Sequence, residues 1–163
     1  MYSPRTQIGF SLLEVLIALV VLSIGLLGHS KIQALGVRAS AEANLRTQAT
    51  FLVNDMMERM RANREASSHN PYYADIDYTV IDCSTDPPKI CSEGTAGTAE
   101  DCTADEMADE DAHNWFCSVA ATLPGGNVAV AFADPSYSIQ ASWDGLDEDG
   151  NVQTQNISAT FIP

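Results

Sequence analysis

The distribution of apolar residues divides the chain into three parts with different periods. From Val15 to Leu27 almost every residue is apolar, and with Phe10 at its start this run has the roughly 17–25 residues that cross a bilayer as a helix. Apolar residues then recur every three or four positions as far as Met60, which is the period of one buried helix face. After Gly126 the period falls to two, as in strands with one buried face. The pattern predicts an α+β protein with one long N-terminal helix packed on a small antiparallel sheet.

The second half of the predicted helix has a defined inner face. From His29 to Ala66 the chain contains no proline and consists mainly of good helix formers. The inner stripe contains Leu45, Ala49, Leu52, Val53, Met56, Met57 and Met60. We interpret its methionines as core packing rather than as metal ligands. On the other face, Asp55 and Arg59 have the spacing of a helical ion pair. Helix-breaking residues between Ser67 and Pro71 are expected to end the helix.

The region between the helix and the sheet is mostly loop-like. Turn-forming residues dominate from Tyr72 to Gly97, with a short strand predicted at Tyr78–Ile81 and turn chemistry at 93–98. From Asp101 to Leu123 a helix is predicted, with Trp115 facing inward. Helical spacing relates Met107, Ala108, Asp111, Trp115 and Val119.

Three strands are predicted after the Leu123-Pro124-Gly125-Gly126 turn. Residues 128–132 and 137–143 alternate between apolar and small or polar side chains, and Asp134-Pro135 separates them, which indicates an antiparallel hairpin. A last strand is predicted from Val152 to Ile162. Its inward candidates are Val152, Ile157, Ala159 and Phe161.

The charge of the chain is concentrated in its second half. The net charge is -14, and residues 66–163 carry seventeen acidic side chains against one basic one, Lys89. Residues 10–65 are close to neutral, with six basic and five acidic side chains. Binding to nucleic acid is therefore not expected, because phosphate contacts need Lys and Arg. An acidic head suits a basic protein partner, divalent cations or simple solubility, and solubility is the simplest of these interpretations.

All four cysteines lie in this acidic part. Cys83, Cys91, Cys102 and Cys117 are an even set outside the apolar helix, which predicts two disulfides formed in an oxidising compartment. Three pairings are open. His113 and Cys117 are one helical turn apart, a spacing compatible with metal ligands, but no two cysteines have the close spacing of a zinc knuckle. We predict no metal site here.

The acidic turn at residues 144–151 has half of the pattern of a calcium loop. Asp147, Asp149 and Gly150 match it. The first and last ligand positions would be Gly145 and Asn156, which do not. A solvated turn is the preferred interpretation, and calcium binding is left open.

A carboxylate near the start of the apolar run is the strongest functional signal. Glu14 would lie in hydrocarbon, which costs about 3 kcal/mol or more without a partner. The motif around it reads Gly9-Phe10-Ser11-Leu12-Leu13-Glu14. It resembles the prepilin signal of type IV pilins and of type II secretion pseudopilins. The resemblance implies that prepilin peptidase cuts after Gly9, that Phe10 is then N-methylated, and that Glu14 pairs with the N-terminal ammonium of a neighbouring subunit.

The same resemblance divides the chain into four segments. Residues 1–9 are the leader, 10–28 the transmembrane half of the helix, 29–66 its amphipathic half, and 67–163 an acidic periplasmic head. The leader is short and polar and precedes the apolar run, whereas the cut of a secretory signal follows its apolar run. The anchor is therefore expected to stay on the mature protein.

The pattern of the second half is similar to that of the PilV type of minor pilin, the type IV pilus modification proteins. The residues that carry this likeness are Met107, Ala108, Asp111, Trp115, Leu123-Pro124-Gly125-Gly126, Tyr137, Ile139, Ala141 and Trp143. The likeness implies a single-pass protein of the bacterial inner membrane that primes pilus assembly and lies near the pilus tip. Implied partners are other minor pilins, the major pilin and a tip adhesin. A minor pseudopilin of a type II secretion system is the alternative.

No catalytic grouping is recognisable in the sequence. His29, His69 and His113 lie in unrelated contexts, and there is no phosphate-binding loop or cluster of ligands. We therefore predict a structural protein without catalytic residues or a cofactor.

Overall fold

The computed structural model describes residues 11–69, 71–91, 101–147 and 150–163. Residues Gly9 and Phe10 of the cleavage motif, the loop at 93–98, and Glu148 and Asp149 of the acidic turn lie outside the described residues. The chain divides into two compact units, Met1–Ala41 and Glu42–Pro163. Helix α1, Leu12–Ala62, supplies residues to both units.

The end of α1 differs from the sequence prediction. The α-helix ends at Ala62 and not at residue 66, and a π-helical turn follows at Glu65–His69. Ser67 is buried there, and its hydroxyl lies within hydrogen-bond distance of the carbonyl oxygens of Met60 (2.8 Å) and Asn63 (2.9 Å). A serine side chain that competes for backbone carbonyls favours such an irregular helix end.

In the first unit, α1 contains the predicted apolar run. It contains an 18-residue window of mean hydropathy 2.3, none of which is buried. Among the described residues α1 is the one helix that is long and apolar enough to cross a membrane. The apolar run therefore forms a helix, as predicted.

In the second unit, the inner face of α1 is the centre of the core. Ala49, Val53, Met56 and Met60 are buried, while Leu45, Leu52 and Met57 pack at the border, so the predicted stripe is confirmed. It packs against α3, Ala104–Thr122, and the sheet. Their fully buried large side chains include Trp115, Val119, Tyr137, Ile139 and Trp143.

Residues 71–91, which we call the irregular segment, contain no strand. Helix α2 is one turn at Tyr72–Asp75, and a 3₁₀ turn follows at Tyr78–Val80. The short strand predicted at Tyr78–Ile81 is therefore wrong. The carboxylate of Asp77 accepts a hydrogen bond from the backbone N–H of Thr79 (3.0 Å), and this bond closes the chain into a turn.

Helix α3 is confirmed, and it spans Ala104–Thr122 within the predicted range of Asp101 to Leu123. Thr103 and Glu106 form a reciprocal capping box at its start, which satisfies two backbone N–H groups that would otherwise lack partners. Its inner face contains Ala108 and Trp115, whereas Met107 is exposed.

The sheet has three antiparallel strands in the order β1-β2-β3. They are β1 (Asn127–Ala133), β2 (Ser136–Leu146) and β3 (Val152–Phe161). The predicted hairpin is confirmed, and Ile157, Ala159 and Phe161 pack towards the core as expected. Val152 was assigned wrongly, because it pairs with Leu146 and points outward, with 69% of its surface exposed. Strand residues alternate between faces, so Val152 cannot share a face with Phe161.

Candidate functional site

The start of α1 is organised by Ser11. The Ser11 hydroxyl accepts a hydrogen bond from the backbone N–H of Leu13 (3.3 Å), and its carbonyl accepts one from Glu14 (3.0 Å). Glu14 lies in the first helical turn with an exposed side chain. A carboxylate in this position is favoured by the helix dipole. Ser11 therefore caps the start of the helix, and the Glu14 side chain in the first turn is exposed.

The helix around Glu14 exposes a continuous apolar surface. The large apolar side chains from Leu12 to Leu26 are between 48% and 90% exposed. Soluble proteins rarely expose apolar patches of this extent, which mark contact with lipid or with other proteins. This segment can bury its surface only in a membrane or among other helices.

The head is attached to α1 by polar contacts as well as by its core. The indole N–H of Trp115 donates to the carbonyl oxygen of Leu52 (2.8 Å). The guanidinium of Arg59 contacts carboxylate oxygens of Asp55 (2.9 Å) and Asp111 (3.0 Å). Partial burial lowers the pKa of Arg59, but hydrogen bonds to the two carboxylates outweigh it, so that the pKa is raised. Arg59 therefore remains a cation that joins α1 to α3.

Asp111 is also the centre of a partly buried network. The Tyr73 hydroxyl donates to Asp111 (3.0 Å), and the Asn63 amide donates to the Tyr73 hydroxyl (3.3 Å) and to the carbonyl oxygen of Ala104 (2.7 Å). Burial, and then the charge of Asp111, raises the pKa of Tyr73 far above its ordinary value. The sequence predicted the Asp55–Arg59 pair but not this network. The one sequence signal for this network was Asp111, a charged residue at helical spacing from the inward-facing Trp115.

The structure selects one of the three disulfide pairings. Cys83 is bonded to Cys117, and Cys91 to Cys102. The first bond ties the irregular segment to α3, and the second closes the loop before α3. Because Cys117 is in a disulfide, it cannot supply a thiolate beside His113.

No group of three His, Cys, Asp or Glu side chains is placed to hold a metal ion in the described ranges. In the acidic turn, Gly145 belongs to β2, and the Asp147 carboxylate accepts hydrogen bonds from the backbone N–H (2.8 Å) and the amide (3.2 Å) of Asn151. These bonds close the turn. Calcium binding there stays an untested alternative, since two of its carboxylates are not described.

A shallow cavity of about 520 Å³ lies between the irregular segment and α3. Asp77, Asp82 and Asp109 are among its lining residues. Hydrogen bonds from Thr79 lower the pKa of Asp77, and the backbone and hydroxyl of Ser84 do the same for Asp82. Partial burial raises the pKa of Asp109, whose carboxylate accepts a bond from Tyr72 (3.1 Å). These carboxylates complete turns and helix contacts within the head.

Strand β3 runs alongside the part of α1 that lies in the second unit, Glu42–Pro163. Near its start, the Gln155 amide oxygen accepts a hydrogen bond from Arg46 (3.3 Å), and near its end the Phe161 ring lies 5.3 Å from the guanidinium of Arg61. Gly145, on the neighbouring strand, leaves room for Gln155, because an added Cβ would lie 2.8 Å from its Cγ. Strand β3 therefore follows α1 from Arg46 to Arg61.

Two family comparisons match the chain. A prokaryotic N-terminal methylation motif matches residues 4–28, and the family model of the type IV pilin Tt1218 matches residues 31–113. The comparison with curated proteins found no match, and neither did the comparison with solved structures.

An apolar helix with a prepilin motif, continued by a small α+β head, defines the class of type IV pilin-like subunits. The Tt1218 match covers half of the chain, and the chain therefore belongs to this family of type IV pilins. The predicted fold class and the predicted methylation motif are both confirmed. The apolar helix fits a membrane anchor.

Proposed function

We propose that the protein is a minor pilin that primes assembly of a type IV pilus at the inner membrane, with its head in the periplasm, and then lies near the pilus tip. The observation that carries the proposal is the exposed Glu14 in the first turn of a fully exposed apolar helix, within a chain of the type IV pilin family. The role is structural and not enzymatic.

The assembly step depends on an ion pair between subunits. Prepilin peptidase cuts after Gly9, and the new N-terminal ammonium of Phe10 is then methylated by transfer from a methyl donor. Glu14 of one subunit attracts that ammonium on its neighbour. Two such charges 4 Å apart attract by about 1 kcal/mol in water and about 4 kcal/mol where the effective dielectric constant is near 20. The low dielectric of the membrane therefore makes this pair strong enough to set the register between helices.

The apolar surface of α1 stabilises the assembled state. The side chains from Leu12 to Leu26 pass from lipid to contacts with other pilin helices, so they stay out of water throughout. The head remains outside the helical core, where it meets other minor pilins, the major pilin and a tip adhesin.

Replacing Glu14 tests this mechanism. We expect Glu14→Ala to give a folded, processed and membrane-anchored protein whose amount in sheared pili falls about tenfold, the effect of losing roughly 1.4 kcal/mol. Glu42→Ala, which removes a carboxylate elsewhere on α1, is the matched control and should leave incorporation unchanged. Normal incorporation of Glu14→Ala would refute the ion-pair mechanism.

Processing and abundance test the remainder of the proposal. Mass spectrometry of the native protein should find methylated Phe10 at the N-terminus, whereas a Met1 start would leave only an anchored domain.

A minor pilin should be scarce in purified pili, and its deletion should reduce the number of pili. A type II pseudopilin would instead be needed for protein secretion and not for piliation. The match to a type IV pilin family favours the pilus.

A further inference from the structure

We propose that the end of the β2–β3 hairpin is a docking surface for the helical stem of a neighbouring pilin. The hairpin-end patch consists of Leu146 and Val152 with the flanking carboxylates of Asp144 and Asp147. Its partner is a stem segment, just after the membrane helix, in which cations flank exposed aliphatic side chains. This inference rests on the proposed function, since it needs an assembled filament.

The apolar centre of the patch is a cross-strand pair. Leu146 and Val152 are directly opposite each other in the register of β2 and β3. They point away from the core, and 52% and 69% of their surfaces are exposed. The other outward positions of these strands carry polar or small side chains, such as Ser138 and Thr160. Two adjacent aliphatic side chains on an otherwise polar face mark a contact surface more strongly than a single one would.

Carboxylates flank this pair on both sides. Asp144 is exposed and lies one outward position before Leu146, and Asp147 follows Leu146 directly. Asp147 accepts hydrogen bonds from Asn151, which orient the carboxylate. The patch therefore combines an aliphatic centre with negative charge at its border.

The stem of this chain has the complementary composition. Lys31 and Arg38 enclose a helical stretch in which Ile32, Leu35 and Val37 are 62–71% exposed. A neighbouring pilin with such a stem would offer aliphatic side chains to Leu146 and Val152 and cations to the two carboxylates. Charge complementarity of this kind fixes orientation and excludes wrong registers.

Site-specific photo-crosslinking in the full-length protein in its native host tests the proposal. The photoreactive residue replaces Val152 in one variant and Val80 in a matched control, since Val80 is also a head valine and is 74% exposed. A third variant carries it at Val20, within the membrane helix, to report helix assembly. Crosslinked peptides are then identified by mass spectrometry.

We expect the Val152 variant to crosslink to the stem of a pilin, just after that pilin's membrane helix, and the Val80 variant not to do so. If Val20 crosslinks to pilin helices while Val152 gives no stem product, or gives one no more often than Val80, the docking proposal is refuted and the proposed function stands. If Val20 gives no pilin product either, the proposed function fails and the docking proposal fails with it.

A charge substitution supplies a second readout. Val152→Asp should lower incorporation into pili about threefold or more, because it places a charge among the aliphatic side chains at the centre of the contact, where burial of a carboxylate is costly. Val80→Asp adds the same charge to the same head and should have no such effect. Equal incorporation of the two variants would also overturn the proposal.

Discussion

Two glycines determine how the chain passes from α3 into the sheet. Gly125 has a φ of +61°, a conformation that L side chains avoid. At Gly126 the restriction is space, because an added Cβ would lie 2.7 Å from the carbonyl oxygen of Val119 and 2.9 Å from that of Leu123. Both atoms belong to the backbone and cannot move as a side-chain end could. The diglycine is therefore required by the close approach of β1 to the end of α3.

At the scale of single residues, we expect Gly126→Ala to lower the free energy of unfolding by about 1–3 kcal/mol, because the backbone must shift to admit a methyl group. Urea unfolding of the full-length protein in detergent, followed by the fluorescence of Trp115 and Trp143, measures this. Gly36→Ala is the control, since nothing lies near that position on the helix. Alanine is favoured over glycine in a helix by up to about 1 kcal/mol, so a loss of stability in the control equal to that of Gly126→Ala would contradict the explanation.

At the scale of elements, α3 is the part to which the irregular segment is attached. The disulfide from Cys83 reaches its second half at Cys117, and Lys89 contacts Glu106 in its first turn (3.0 Å). The capping box at Thr103 fixes where α3 begins. Residues 71–91 are thus held by covalent and polar contacts to one well-formed helix.

The two disulfides are expected to contribute unequally. Cys83 and Cys117 are 34 residues apart and Cys91 and Cys102 are 11 apart. The chain-entropy relation gives about 3.8 and about 2.8 kcal/mol for these loops. Replacing the first pair by serine should therefore lower the urea midpoint more than replacing the second, by about 1 kcal/mol in unfolding free energy. The reverse order would show that the contacts made by each loop outweigh loop entropy.

At the scale of the whole molecule, the acidic charge makes stability depend on pH. Hydrogen bonds from the Thr103 backbone and from Lys89 lower the pKa of Glu106, and turn hydrogen bonds lower those of Asp77 and Asp82. A carboxyl group with a lowered folded-state pKa stabilises the fold above its unfolded pKa and loses that effect as pH falls through its folded value. Asp109, whose pKa burial raises, acts in the opposite sense.

We therefore expect the urea midpoint to fall as pH drops below about 4.5, the ordinary value for a glutamate. Glu106→Gln should flatten this fall, because glutamine can still accept the capping hydrogen bond but does not titrate. Asp86→Asn, which removes one negative charge from the same head, controls for net charge. A Glu106→Gln profile as steep as that of the unmodified protein would exclude Glu106 as a source of the pH dependence.

Features that depend on local period and local chemistry could be predicted from the order of residues alone. They include the apolar run, the methionine stripe on α1, the helix around Trp115 and the hairpin broken at Asp134-Pro135. Each extends over a few consecutive helical turns or strand residues, where burial produces a recognisable pattern of apolar residues. The prepilin motif is equally local, and the family comparison agrees with it.

Features that join distant residues were fixed by tertiary contacts. The disulfide pairing, the network around Asp111 and the approach of β3 to Arg46 depend on which segments meet, and spacing along the chain does not encode that. The choice of the buried face of β3 is of the same kind, because pairing with β2 sets it. Alternation along the strand then places Val152 outward, on the face opposite Phe161.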